Sequence, residues 1–254
     1  MSTIFRKRQK IIPILISLTL VNFTFGQSKV DLNVSLSNQG QIDKVLEEFY
    51  FPANPTELQD DARIGNDFRL KYNATLTYIH KDSFDIRLTI GYAQRKNHYE
   101  QDQINTKWIY DDKQNIIELA PSFGFSKQFG RFRIGTGIQI PIYIIGNFTE
   151  TGVYTEYSDS VNLSYSVSSK IKMDGGIIFG INNYVNLKVN LYKKLYLFTE
   201  LNYGLLFANL GKKYAAENTT TFPYNDSYSS SFDKTYKKTY FSPISIQFGL
   251  GFRL

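Results

Sequence analysis

The stretch that decides the fold spans residues 67–93. It reads Asp67-Phe68-Arg69-Leu70-Lys71-Tyr72-Asn73-Ala74-Thr75-Leu76-Thr77-Tyr78, breaks at Lys81-Asp82-Ser83, and resumes as Phe84-Asp85-Ile86-Arg87-Leu88-Thr89-Ile90-Gly91-Tyr92-Ala93. Phe68, Leu70, Tyr72, Ala74, Leu76 and Tyr78 share one face of the first arm, and Phe84, Ile86, Leu88, Ile90 and Tyr92 share one face of the second. A strict period of two is strand geometry, because successive side chains point to opposite faces. The other faces carry Arg69, Lys71, Asn73, Thr75 and Thr77, then Asp85, Arg87 and Thr89, so the pair reads as a long hairpin on a tight polar turn. Alternation alone leaves the inner face open. In a soluble sandwich the apolar face is the core; in a membrane barrel it meets lipid and the charged face fills the lumen.

The N-terminus bears on the compartment. Arg6, Lys7, Arg8 and Lys10 precede an apolar run over residues 11–25, too short for a comfortable helical span, and Thr24 and Gly26 supply small residues before Gln27. Residues 1–26 are therefore expected to be a secretory signal peptide and 27–254 the mature domain. Its removal takes four basic and no acidic side chains, lowering the net charge from +6 to +2. Nucleic acid thus loses its electrostatic support as a partner. With no cysteine, neither a disulfide framework nor a lipidated cysteine is available. The mean hydropathy is negative, which excludes a helical membrane bundle but not a barrel, where only alternate residues meet lipid. Aromatic residues make up 16% of the chain, with 19 Tyr and 20 Phe, an excess that interfacial girdles would use.

The same alternation recurs outward from the central hairpin. Val30, Leu32, Val34 and Leu36 mark a first strand. A hairpin is expected from Ile117 to Ile142 around Gln128-Phe129-Gly130, and another around Tyr192-Lys193-Lys194. Residues 172–191 are long for one strand, which predicts a bulge near Gly175-Gly176. Ile244, Ile246, Phe248, Leu250, Phe252 and Leu254 form a closing strand. Between these lie four polar segments read as long loops, at about residues 39–66, 95–113, 147–169 and 211–239. In the first, residues 41–48 allow a helical turn or two before Pro52 and Pro55. The sum is eight antiparallel strands, with long loops at one end and short turns at the other, which is the asymmetry of an outer-membrane up-and-down β-barrel. Closure removes the edges whose backbone groups lipid cannot satisfy.

The signal ending Thr24-Phe25-Gly26, the repeated tight-turn hairpins and the terminal Phe248-Gly249-Leu250-Gly251-Phe252-Arg253-Leu254 resemble the small outer-membrane barrel proteins common in Bacteroidetes-type bacteria, of the OmpA/OmpX or PorT-like kind. The resemblance implies a Gram-negative outer-membrane location. It also implies that the barrel-assembly machinery reads the terminal strand through Phe248, Leu250, Phe252 and Leu254, although Leu254 stands where many barrels end in Phe. No counterpart of the peptidoglycan-binding domain of larger members is expected after Leu254.

With the apolar face outward, the lumen collects Arg69, Lys71, Asp85, Arg87, Glu118, Arg133, Asp174, Lys188, Glu200 and Arg253. Eight strands leave room only for side chains, so these are expected to form an ion-pair network that plugs the barrel. The alternative is a narrow gated pore in which an arginine exchanges between Glu118 and Glu200. Catalysis finds little support. His80 and His98 cannot make a multi-histidine metal site, although His98 with Glu100 and Asp102 is the one place for a loop-borne hydrolase. No enzyme activity and no cofactor are expected. Function is sought in the loops, where Phe49, Tyr50, Phe51, Tyr214, Tyr224, Tyr228 and Tyr236 combine aromatic area with adaptable hydrogen bonding. The expected role is structural or interactive: adhesion, envelope integrity, or partnership with a larger envelope complex. The expected surroundings are outer-membrane lipid.

Overall fold

In the computed structural model the described residues are 28–38, 42, 45, 46, 49, 70–81, 83–103, 105–158, 163–211, 213–221, 226–233 and 235–254. The expected signal peptide, together with Arg69, Tyr50, Phe51 and Tyr224, lies outside them. The described chain is all-β apart from four helical residues, with thirteen strands in one antiparallel sheet.

The sheet closes on itself. β1 (Ser28–Asn38) pairs with β2 (Leu70–His80) on one side and with β13 (Tyr236–Arg253) on the other. From β2 the ladder passes to β3 (Phe84–Gln103) and β4 (Thr106–Phe129). From β4 it passes to β5 (Phe132–Gln139) and β6 (Ile142–Ile145), then to β9 (Gly176–Tyr192), β10 (Leu195–Leu210) and back to β13. β5 and β6 follow one another along β4 and β9 without a change of register. What separates them is a shortage of donors: Pro121 and Pro141 have no N–H to give the ladder. The Ile140 N–H to Pro121 carbonyl bond (2.9 Å) and the Gly180 N–H to Pro141 carbonyl bond (2.8 Å) carry the pairing across the gap.

Polarity around this ring is inverted relative to a soluble protein. Lys71, Asn73, Thr75, Asp85, Arg87 and Thr89 are buried, whereas Tyr72, Leu76, Ile86, Leu88 and Ile90 are exposed. The alternation seen in the sequence is therefore real, and its apolar phase faces out. Phe125, Phe129, Phe132 and Tyr192 are exposed toward the end with the short turns, and Tyr72, Tyr92, Tyr203 and Phe241 toward the opposite mouth. The three turns lie at Lys81 and Ser83, at Gly130-Arg131 and at Lys193-Lys194; the second falls slightly later than expected, because Gln128 and Phe129 stay in β4. Gly130 adopts a φ of 59°, which glycine enters without penalty.

The long polar segments need correction. Residues 95–113 are a hairpin made by the ends of β3 and β4, paired in unbroken register from Arg95↔Gln114 to Gln103↔Thr106. Residues 147–169 hold β7 (Phe148–Ser158) and the start of β8 (Leu163–Met173), and residues 211–239 hold β11 (Lys213–Thr221) and β12 (Ser227–Asp233). These continue from β4 in the order β7, β8, β11, β12, so the ring grows into an open sheet at its mouth. The expected bulge near Gly175-Gly176 is instead the break between β8 and β9. Gly175 packs so closely on the Ile145 and Gly146 carbonyls that a Cβ there has no room.

The helical turn expected at residues 41–48 carries Ile42, Val45 and Leu46, and helical Phe49 lies just past it; all four are buried. Their spacing is that of one helix face. They pack with Ile116, Tyr143, Ile145, Phe148, Ile178 and Leu206 as an apolar plug in the mouth of the ring. Phe49 is thus a core residue and not the surface contact expected from the sequence.

Candidate functional site

The ring interior is layered. Near the turn end, Asp31 accepts from Lys188 Nζ (3.1 Å) and Arg253 Nε (3.2 Å). Asp85 accepts from Ser126 Oγ (3.1 Å), which in turn accepts from Arg133 Nε (2.9 Å), while the Arg133 guanidinium stands 3.9 Å from the carboxylate. Midway, Arg87 pairs with Glu200 at 2.6 Å and lies 4.2 Å over the Tyr184 ring. Toward the mouth, Lys71 bonds Glu118 and sits 5.5 Å from the Tyr143 ring centre. Tyr143 also belongs to the apolar plug, so it joins the two regions.

Of the expected lumen set, Lys71, Asp85, Arg87, Glu118, Arg133, Lys188, Glu200 and Arg253 come together in these pairs. Asp174 does not join them. It lies half-buried in the break between β8 and β9, where its backbone N–H bonds the Lys213 carbonyl. The sequence reading left out Asp31, which accepts two cations; its place in the polar phase of β1 was the available signal. The exchange of an arginine between Glu118 and Glu200 finds no support, since Glu118 is held by Lys71 and Glu200 by Arg87. Small residues admit the large ones. Gly124 and Gly137 face the Tyr184 hydroxyl so closely that any Cβ would displace it.

On the outer face of the mouth hairpin, His98 Nδ1 is 2.8 Å from Asp111 Oδ1 and Nε2 is 3.8 Å from Glu100 Oε2. Glu100 is itself held by Lys107 at 2.6 Å. Hydrogen bonding to Asp111, reinforced by its charge, raises the His98 pKa above the ordinary imidazole range, and Lys107 lowers that of Glu100. The two carboxylates lie at opposite nitrogens of the ring. They do not converge as ligands of one metal ion, and only the Nδ1 contact is of hydrogen-bond length.

The inner face of the same sheet is aromatic. Trp108 and Tyr154 are cross-strand partners with ring centres 4.2 Å apart, Trp108 and Tyr110 are nearly parallel at 6.1 Å, and Tyr165 meets Tyr154 edge-on at 6.4 Å. With Gly152, Val167 and Ser169 these rings bound a depression of about 320 Å³. A Cβ on Gly152 would come within 2.6 Å of the Tyr110 ring and 2.7 Å of Ser169 Oγ, so glycine keeps the floor open. The tyrosines expected to serve as loop contacts lie elsewhere. Tyr228 is exposed on β12, and Tyr236 packs against Phe49 at 5.5 Å. Tyr214 lies on β11, within the sheet. Phe248, Leu250, Phe252 and Leu254 all face outward.

No family model matches the sequence, and no curated protein matches it. Among solved structures the chain is similar to a major outer membrane protein from Thermus thermophilus, at 9% identity over 89% of this chain and 99% of that one, with a TM-score of 0.42. It is also similar to Ail, the attachment invasion locus protein of Yersinia pestis (9% identity, 89% and 97% covered, TM-score 0.31), and to CarO2 of Acinetobacter baumannii (9%, 89% and 99%, TM-score 0.34). At 9% identity nothing about activity passes from them to this chain.

Proposed function

We propose that this protein is an eight-stranded up-and-down barrel of the outer membrane, closed to conduction, that presents the sheet at its mouth as a contact surface. The inverted polarity of the closed ring carries the reading: outward apolar side chains suit lipid, and inward charges are paired. Counted with β5 and β6 as one stave, the circuit β1, β2, β3, β4, β5/β6, β9, β10, β13 has eight members. That size leaves an interior which side chains can fill. Short turns at one end and extended strands at the other suit a periplasmic position for the turn end, with Ser28 and Leu254. The outward row Phe248, Leu250, Phe252 and Leu254 suits recognition by the barrel-assembly machinery, and residues 1–26 suit export.

Two barriers in series oppose a pore: the ion pairs across the lumen, and the plug of Ile42, Val45, Leu46 and Phe49 above them. Conductance in planar bilayers tests this. The protein is expected to insert without channel events, and Leu46→Asp, which puts a charge into the apolar plug, to give at most flickering openings because the ion pairs below remain. Steady ohmic conductance from the unaltered protein would contradict the reading and restore the narrow pore.

A further inference from the structure

The aromatic depression on β4, β7 and β8 is used by neither the lumen nor the plug, and its chemistry is selective. The geometry points to a binding site there for a neutral oligosaccharide arriving from outside the cell, an inference that rests on reading the mouth as the external end. Trp108 and Tyr110 are nearly parallel (18° between planes, ring centres 6.1 Å apart), and an aromatic ring face is the kind of surface on which the C–H face of a pyranose lies. Around the rings the polar side-chain groups are the hydroxyls of the tyrosines and of Ser169 and the Trp108 indole N–H. They give and accept hydrogen bonds as sugar hydroxyls require. Among the described residues lining the depression there is no Lys or Arg, so a sulfated or phosphorylated ligand would find no countercharge. At its edge the Glu156 carboxylate accepts from the Tyr154 hydroxyl at 3.1 Å and offers sugar hydroxyls a further acceptor.

Position decides the source. Trp108 and Tyr110 share a strand face with Gln114 and Glu118, which point into the ring, so the depression opens on the inner side of the sheet and away from lateral neighbours. Trp108 also stands about 30 Å along the strand from the lipid-facing Ile117, at ~3.3 Å per residue. A sugar anchored in the same membrane would meet the outer face first.

Trp108 is the chain's one tryptophan, so its fluorescence reports on this site alone. The protein, purified in detergent and verified as folded by its faster unboiled migration on a gel, is titrated with maltoheptaose, cellohexaose, xylohexaose, mannohexaose and a galacto-oligosaccharide. A saturable change with at least one of them is expected. Tyr165→Ala should weaken it roughly tenfold, the loss of one aromatic contact, and His98→Gln on the opposite face should leave it unchanged. Folded protein that answers none of these sugars overturns the proposal, as does one that answers only a sulfated oligosaccharide or choline. Loss of the folded band itself would bring down the barrel reading and the proposal with it.

Discussion

Arg87 is enclosed on every side, with Glu200 at 2.6 Å and the Tyr184 ring beneath it. A buried pair of this kind is worth little against an apolar replacement of both partners, but removing one partner strands the other's charge. Glu200→Ala should therefore destabilise the barrel by about 3–5 kcal/mol, read as a lower urea midpoint for unfolding from detergent, whereas an Arg87→Met, Glu200→Leu double substitution should recover most of the loss. At the surface, His98 titrates with Asp111 and Glu100 facing its two nitrogens. Because its pKa is raised in the folded hairpin, its contribution is fully present below the unfolded imidazole value and is lost as pH rises through the folded one. An NMR titration should show His98 deprotonating above the ordinary imidazole range, and Asp111→Asn should bring it back down. The lumen charges were legible as residues because they fall in the polar phase of strands. Their partners were not, since pairing depends on the register between strands distant in sequence, as between Asp31 and Lys188.

Strands that bury one face and expose the other announce themselves, and those of the ring did so. β7, β8, β11 and β12 did not, because at the mouth both faces of the sheet carry polar groups and the period-two contrast fades, as in Ser227-Tyr228-Ser229-Ser230-Ser231. The plug helix was half legible: the spacing of Ile42, Val45, Leu46 and Phe49 is helical, but nothing local says that its face turns back into the ring. Alternation does fix what a lipid-facing position tolerates. Leu88 is outward on β3 between the buried Arg87 and Thr89. Leu88→Arg should cost about 2–4 kcal/mol if it lies near the bilayer midplane, measured by reversible folding into lipid vesicles. The equivalent change Val153→Arg, at an exposed apolar position of β7 at the mouth, should be near neutral. Equal costs at the two positions would mean that the apolar band does not meet lipid.

At the scale of the molecule, one arrangement places charges inside, apolar side chains outside, and a polar sheet with one aromatic face at the mouth. Each part depends on the ring being closed and facing lipid, because in water the exposed band would drive association and the lumen charges would be needless. Closure joins β1 to β13, so every ring strand has two neighbours and the unit should unfold cooperatively. Migration of the detergent-folded protein on a gel, with and without boiling, tests this most directly. A faster unboiled band that boiling abolishes is the predicted result. A single band that runs alike in both conditions, from protein soluble without detergent, would contradict the account and return the apolar faces to an interior.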